Sequence, residues 1–165
     1  MARPHPVSPG PDQESVWDYP RPPGLERSNS SIKVVFGGMT IVESDESWRV
    51  TETASPPTYY LDQSVFAPGV VQPGAGDSWC EWKGRASYVD FVVGDTMSRR
   101  AGWFYAHPSP RFAPLAGHVA IYPSRVDACF LDGEQVRPQD GDFYGGWITS
   151  RVTGPFKGDA GTLGW

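Results

Sequence analysis

From Ile32 onward, hydrophobic and polar residues alternate with a period of two along most of the chain, the pattern of strands with one buried face. Residues 33–36 and 40–43 flank Gly37-Gly38 and read as a hairpin, because two glycines between β-rich runs suit a tight primed turn. Residues 49–53 form a third strand with Val50 and Glu52 on one face; Ser55-Pro56-Pro57 interrupts it, and 58–61 resume extended. Residues 62–70 hold one short helical turn, capped by Asp62 and stopped by Pro68, and 73–77 read as a loop. The centre of the sheet falls at 79–83, 87–93 and 102–106. In the second of these, Val89, Phe91 and Val93 face one way and Tyr88, Asp90 and Val92 the other. Val119 and Ile121 alternate in the same manner with His118, Ala120 and Tyr122. Residues 129–131 and 135–137 flank Asp132-Gly133, the best hairpin signal in the chain, and Asp140-Gly141 repeats that turn chemistry. No segment of ten or more residues shows an apolar 3.6 period, so the class is mainly β with little helix.

The ends differ from this body. Residues 1–13 are rich in Pro, Ser and Gly and read as a disordered tail. Residues 14–31 form a proline-rich arm laid across the domain, with Trp17 and Tyr19 as its anchors and 27–31 as a polar joint. A single domain then occupies 32–165. Its last twenty-six residues hold five aromatics and seven glycines, a content that disordered tails lack, which predicts that Trp165 packs as a closing plug.

Charge and cysteine content narrow the function classes. With 14 Lys and Arg against 19 Asp and Glu, the net charge of −5 favours neither nucleic acid nor an anionic membrane surface as partner. No apolar run approaches the ~20 residues that span a bilayer, and the first residues carry no apolar export segment. Two isolated cysteines in apolar runs, Cys80 and Cys129, suit a reducing compartment, so a cytoplasmic location is expected. Neither has a second cysteine within four residues, which argues against tetrahedral zinc, and no cofactor motif appears. Were 79–85 one continuous strand, Cys80 and Lys83 would point to opposite faces, and only a bulge near Gly84 would let the ammonium activate the thiol. Asp140 and Asp142 would share a face if extended, as a divalent cation requires, but they also read as a plain turn.

The remaining constellation is aromatic and polar together. Trp79, Trp82, Tyr88, Trp103 and Tyr105 come from three neighbouring strands, with Tyr59 and Tyr60 just before them. Glu52, Lys83 and Tyr122 lie on faces that do not read as pure core. Rings with a few fixed polar groups make a small-molecule pocket, but large rings also simply fill a small β core, and both readings stay open. If a pocket exists, Glu52, Tyr60, Lys83, Tyr88, Trp103 and Tyr122 line it, with Glu52 paired to Lys83 and the lysine meeting an anionic or carbonyl group. A third reading is a protein-interaction module that docks a partner through its arm or an exposed tryptophan surface.

The ordered phrases ESVWDYPRPP, TETASPPTYY, WCEWKGRASY, AGWFYAHP, AGHVAIYP, DGEQVRPQDGDFYGGWIT and GPFKGDAGTLGW resemble the bacterial domain of unknown function family 427, over about residues 14 to 165. The resemblance implies a β-tent fold, two antiparallel sheets meeting at an angle and pinned along one edge. That fold is shared with the ligand-binding domain of cereblon and with methionine sulfoxide reductase B. Relatives of that fold commonly hold zinc with two cysteine pairs, which this chain lacks. The family also carries a nucleotidyltransferase label, which would cast Gly37-Gly38 as a phosphate loop and Asp140 and Asp142 as magnesium ligands.

Overall fold

The structure, a computed structural model, describes residues 5–141 and 144–158. The expected plug at Trp165 and one carboxylate of the expected pair, Asp142, lie outside the described residues. The strands in chain order are β1 (Glu14–Ser15), β2 (Gly24–Ser28), β3 (Ile32–Phe36), β4 (Met39–Ser44), β5 (Ser47–Glu52), β6 (Ser55–Leu61), β7 (Val71–Cys80) and β8 (Gly84–Val93). They continue with β9 (Thr96–Phe104), β10 (Val119–Ile121), β11 (Ala128–Leu131), β12 (Glu134–Gln135), β13 (Arg137–Pro138), β14 (Trp147–Ile148) and β15 (Val152–Thr153). Among the described residues helix is confined to short 3₁₀ turns, of which Gln63–Val65 is capped by the Asp62 side chain accepting from the Ser64 N–H. The protein is mainly β, as the alternation predicts.

Two large antiparallel sheets dominate. The first runs β2-β5-β6-β10-β9-β8-β7 and the second β12-β11-β3-β4; neither closes into a barrel. Two short pairs accompany them, β13 with β14 antiparallel and β1 with β15 parallel. Period-two alternation gives the seven-stranded sheet two apolar faces with different partners. Tyr59, Leu61, Val89, Phe91, Ala101, Val119 and Ile121 share a core with Ile32, Val34, Phe36, Val42, Cys129 and Leu131 of the four-stranded sheet. Their sequence neighbours Tyr60, Tyr88, Ala120 and Tyr122, joined by Trp103, project from the opposite face and pack with Val50, Ala86, Tyr105, Phe112 and Leu115.

The hairpin turns follow the predicted chemistry. Gly37 and Gly38 (φ +60° and +73°) link β3 to β4, and Asp132 and Gly133 (φ +48° and +83°) link β11 to β12. Three expectations change. Residues 73–77 are not a loop but part of β7, where a register shift between Pro73 and Asp77 absorbs the proline and the glycines. The prolines 56 and 57 do not interrupt the sheet, because β6 already begins at Ser55 and a register shift between Val50 and Glu52 lets it pair around them. The third change, at residues 81–83, makes the cavity described below.

The N-terminal arm is built into the sheets. Its strand β2 pairs with β5, and Arg49 on β5 binds Glu14 at 2.7 Å and also Glu26. Tyr19 is buried with its hydroxyl donating to Glu14 at 3.0 Å, and Trp17 donates from Nε1 to the Pro155 carbonyl at 2.9 Å. Ahead of it, Val7 exchanges hydrogen bonds with Thr153 and Gly154. Among the described residues, no helix is long and apolar enough to cross a membrane.

Candidate ligand-binding cavity

The decisive local feature is the turn after β7. The strand stops at Cys80, Glu81-Trp82-Lys83 form a three-residue loop, and Gly84 (φ +106°) opens β8 directly opposite Cys80. Three-residue hairpins need such a left-handed position at their end, which glycine supplies without strain. The expectation of a strand through 79–83 is therefore corrected, and with it the separation of Cys80 from Lys83: the loop folds the ammonium back beside the thiol. Ser109 holds the loop, its N–H donating to the Lys83 carbonyl at 3.0 Å and its Oγ to the Trp82 carbonyl at 2.5 Å.

This loop closes one end of a cavity of about 330 Å³. Its floor is the second apolar face of the seven-stranded sheet, carrying Tyr60 on β6, Ala86 on β8, Trp103 on β9, and Tyr105 and Tyr122 just beyond β9 and β10. Val50 and Glu52 of β5 share one face as predicted and form a side wall. The far wall comes from the C-terminal segment, through Gln139, Tyr144, Gly145, Gly146 and Lys157. Of the six residues predicted to line a pocket, Glu52, Tyr60, Lys83, Trp103 and Tyr122 do so. Tyr88 does not line it, although it is buried in the same aromatic cluster; Arg100 lies over its ring at 4.7 Å, as Arg125 lies over Tyr122 at 4.3 Å.

The rings form one interlocked set. Trp103 meets Tyr60 edge-on, with ring centres 6.2 Å apart and planes at 88°, and its Nε1 donates to the Tyr60 hydroxyl at 3.3 Å. Tyr122 lies 4.6 Å from Trp103, and Tyr105 lies 6.2 Å from Tyr60. Burial pushes the Tyr60 and Tyr105 phenols above the usual tyrosine range, so both are neutral donors at physiological pH. Trp79 stands at the rim, 73 % exposed.

Lys83 is the buried cation among the described residues of this cavity. It is 7 % exposed, and its Nζ sits 5.9 Å from the centre of the Phe112 ring. Burial by itself would push the ammonium down, but the potentials of Tyr60, Cys80 and Glu52 outweigh it and hold the group above the ordinary lysine value. The predicted Glu52–Lys83 ion pair does not form. Among the described residues Lys83 has no carboxylate within ion-pair distance, and Glu52 acts on it only through space.

The alternation pointed to the sheet floor but not to the far wall. Gln139 builds that wall by accepting from the Gly146 N–H at 3.1 Å and donating from Nε2 to the Lys157 carbonyl. The one available signal was Gly145-Gly146, a glycine pair without a positive φ at either position, which marks close backbone approach instead of a turn. A Cβ on Gly145 would fall 2.2 Å from the Trp103 ring. Other candidates lie elsewhere: Gly37-Gly38 is a hairpin turn followed by strand β4, with the Gly38 N–H donating to Asp127 at 3.0 Å. Asp140 is exposed. Among the described residues no three His, Cys, Asp or Glu side chains gather as metal ligands would.

Two antiparallel sheets, with an aromatic-walled cavity on the outer face of the larger one, define a mainly β domain of the cavity-bearing kind. The chain belongs to the family described as Domain of unknown function (DUF427), whose model matches residues 24–132 and carries a nucleotidyltransferase label. That match covers the loop at 81–83 and the sheet floor, and stops short of the far wall. No curated protein matches the chain.

Proposed function

We propose that this protein is a small-molecule-binding domain and that its ligand occupies the cavity between the seven-stranded sheet and the C-terminal segment. The observation that carries the reading is a concavity of about 330 Å³ in which, among the described residues, four buried rings and one buried lysine converge from separate strands and loops. Such a volume sits at the small end of ligand sites, which run from about 300 to 1,000 Å³ and combine apolar walls with a few fixed polar groups. Rings that only filled a core would leave no space beside Lys83. The test is a thermal-shift and calorimetry panel of small aromatic acids, amides, amines, cyclic imides and nucleotides. A hit that stabilises the parent and loses its effect in Trp103→Ala or Tyr60→Ala supports the site; a panel with no stabilising compound removes it.

The family's nucleotidyltransferase label supplies the alternative. It requires magnesium-dependent turnover of a nucleoside triphosphate that falls when Asp140 or Asp142 becomes Asn. Gly37-Gly38 gives it little support, because strand β4 follows the turn and no helix N-terminus is there to receive phosphate.

A further inference from the structure

Among the described residues, four charged side chains line the cavity, Glu52, Glu81, Lys83 and Lys157, and they are not equivalent. Glu81 is exposed and Glu52 half-buried; Lys157 is half-buried and already lies over the Tyr144 ring, with Nζ 5.5 Å from its centre. Only Lys83 is buried, and among the described residues it has no carboxylate partner. Its surroundings keep it charged, and with no carboxylate within ion-pair distance among the described residues its ammonium retains donor capacity that an anionic group can use. Its Nζ lies 5.9 Å from the centre of the Phe112 ring, and Tyr60, Cys80 and Glu52 line the cavity with it.

We propose that the ligand is a small planar carboxylate, a one- or two-ring aromatic acid whose anion meets the Lys83 ammonium and whose ring lies among Tyr60, Trp103 and Tyr122. This rests on the reading of the cavity as a binding site. The volume limits the ligand to one or two fused rings. The flat walls, with Tyr60 edge-on to Trp103 and Tyr122 only 4.6 Å from the same indole, favour a planar body over a branched one. A cationic ligand would face the buried Lys83 ammonium and be repelled by it. A polyphosphate would bring several charges to one buried cation while passing Glu52 and Glu81 at the margins. One negative charge satisfies the lysine and adds none in excess.

The experiment is calorimetry on the full chain with three matched sets: benzoate, indole-3-carboxylate and 1-naphthoate, each against its primary amide and its aminomethyl analogue. A buried charge-assisted contact predicts that at least one acid binds about 10- to 100-fold tighter than its amide and that the amines do not bind. Lys83→Met, of similar length and without charge, should abolish the acid-over-amide preference while leaving the ring's contribution. An amide that binds as well as its acid overturns the inference and leaves the binding-site reading standing. Failure of acids, amides and amines alike removes both. Should Lys83→Met not fold, the acid-to-amide ratio on the parent protein still decides, because it needs no variant.

Discussion

Gly145→Ala isolates the link between the C-terminal wall and the aromatic floor. Gly145 has no positive φ, so alanine meets no backbone penalty there and the whole effect comes from the added methyl group. That methyl would stand 2.2 Å from Cη2 and 2.6 Å from Cζ3 of Trp103. Carbon–carbon contact needs about 3.5 Å, so ring or backbone must yield by roughly 1.3 Å. The indole has little freedom to yield, since it is held edge-on by Tyr60, by its hydrogen bond to the Tyr60 hydroxyl and by Tyr122. Overpacking of this kind costs about 1–3 kcal/mol. For a chain of this size, each kcal/mol lowers the melting temperature by roughly 2–4 °C, which predicts a fall of several degrees. The assay is a reversible thermal or urea melt followed by tryptophan fluorescence, with Gly94→Ala as the control. Gly94 has nothing within 4 Å but a φ of +57°, so that change reports backbone strain alone. A Gly145→Ala protein melting within a degree of the parent would refute the close packing of the segment on Trp103, and with it the far wall of the cavity.

Other measurements probe neighbouring parts of the same account. Tyr60→Phe removes the acceptor of the buried Trp103 N–H and should cost about 1–3 kcal/mol in urea unfolding, with the cavity volume preserved. Native-state alkylation at neutral pH should label Cys80, which borders the cavity, well before Cys129, whose thiol burial pushes up to about 12; peptide mass spectrometry showing equal labelling would contradict the fold around β11. Glu14 is held below its ordinary carboxylate value of 4.5, chiefly by its hydrogen bond to Arg49. A lowered folded-state value gives stability that is present above the unfolded value and lost as pH falls, so Glu14→Gln should melt below the parent at pH 7. The difference, about 0.5–1 kcal/mol for a pair whose carboxylate is half exposed, should shrink steadily below about pH 4.5.

The class and much of the site were legible in the chain because both rest on period-two alternation, a local property. Tyr59 against Tyr60, Val89 against Tyr88 and Ile121 against Tyr122 separate onto two faces wherever the backbone is extended, and the structure sends each set to its own core. The turn residues at Gly37-Gly38 and Asp132-Gly133 were equally local, since each depends on φ at two adjacent positions. Bulges and loop ends were not legible in this way. Where β7 stops decides whether Lys83 points away from Cys80 or back toward it, and that stop depends on pairing with β8 and on Ser109 reaching the loop from about 26 residues further on.

What the sequence by itself determined was which side chains share a face, because alternation along an extended backbone needs no knowledge of the partner strand. What only the tertiary structure decided was whether those faces are covered. Tyr88 was as good a candidate as Tyr122 until the cavity proved to be lined by Tyr122 and not by Tyr88, and Glu52 as good a counter-ion for Lys83 until the two proved too far apart to pair. The space beside Lys83 exists because Gln139, Gly145 and Gly146 arrive from the far end of the chain and stop short of filling it. A cavity is a property of surfaces that meet from distant parts of the chain, and no local pattern records it.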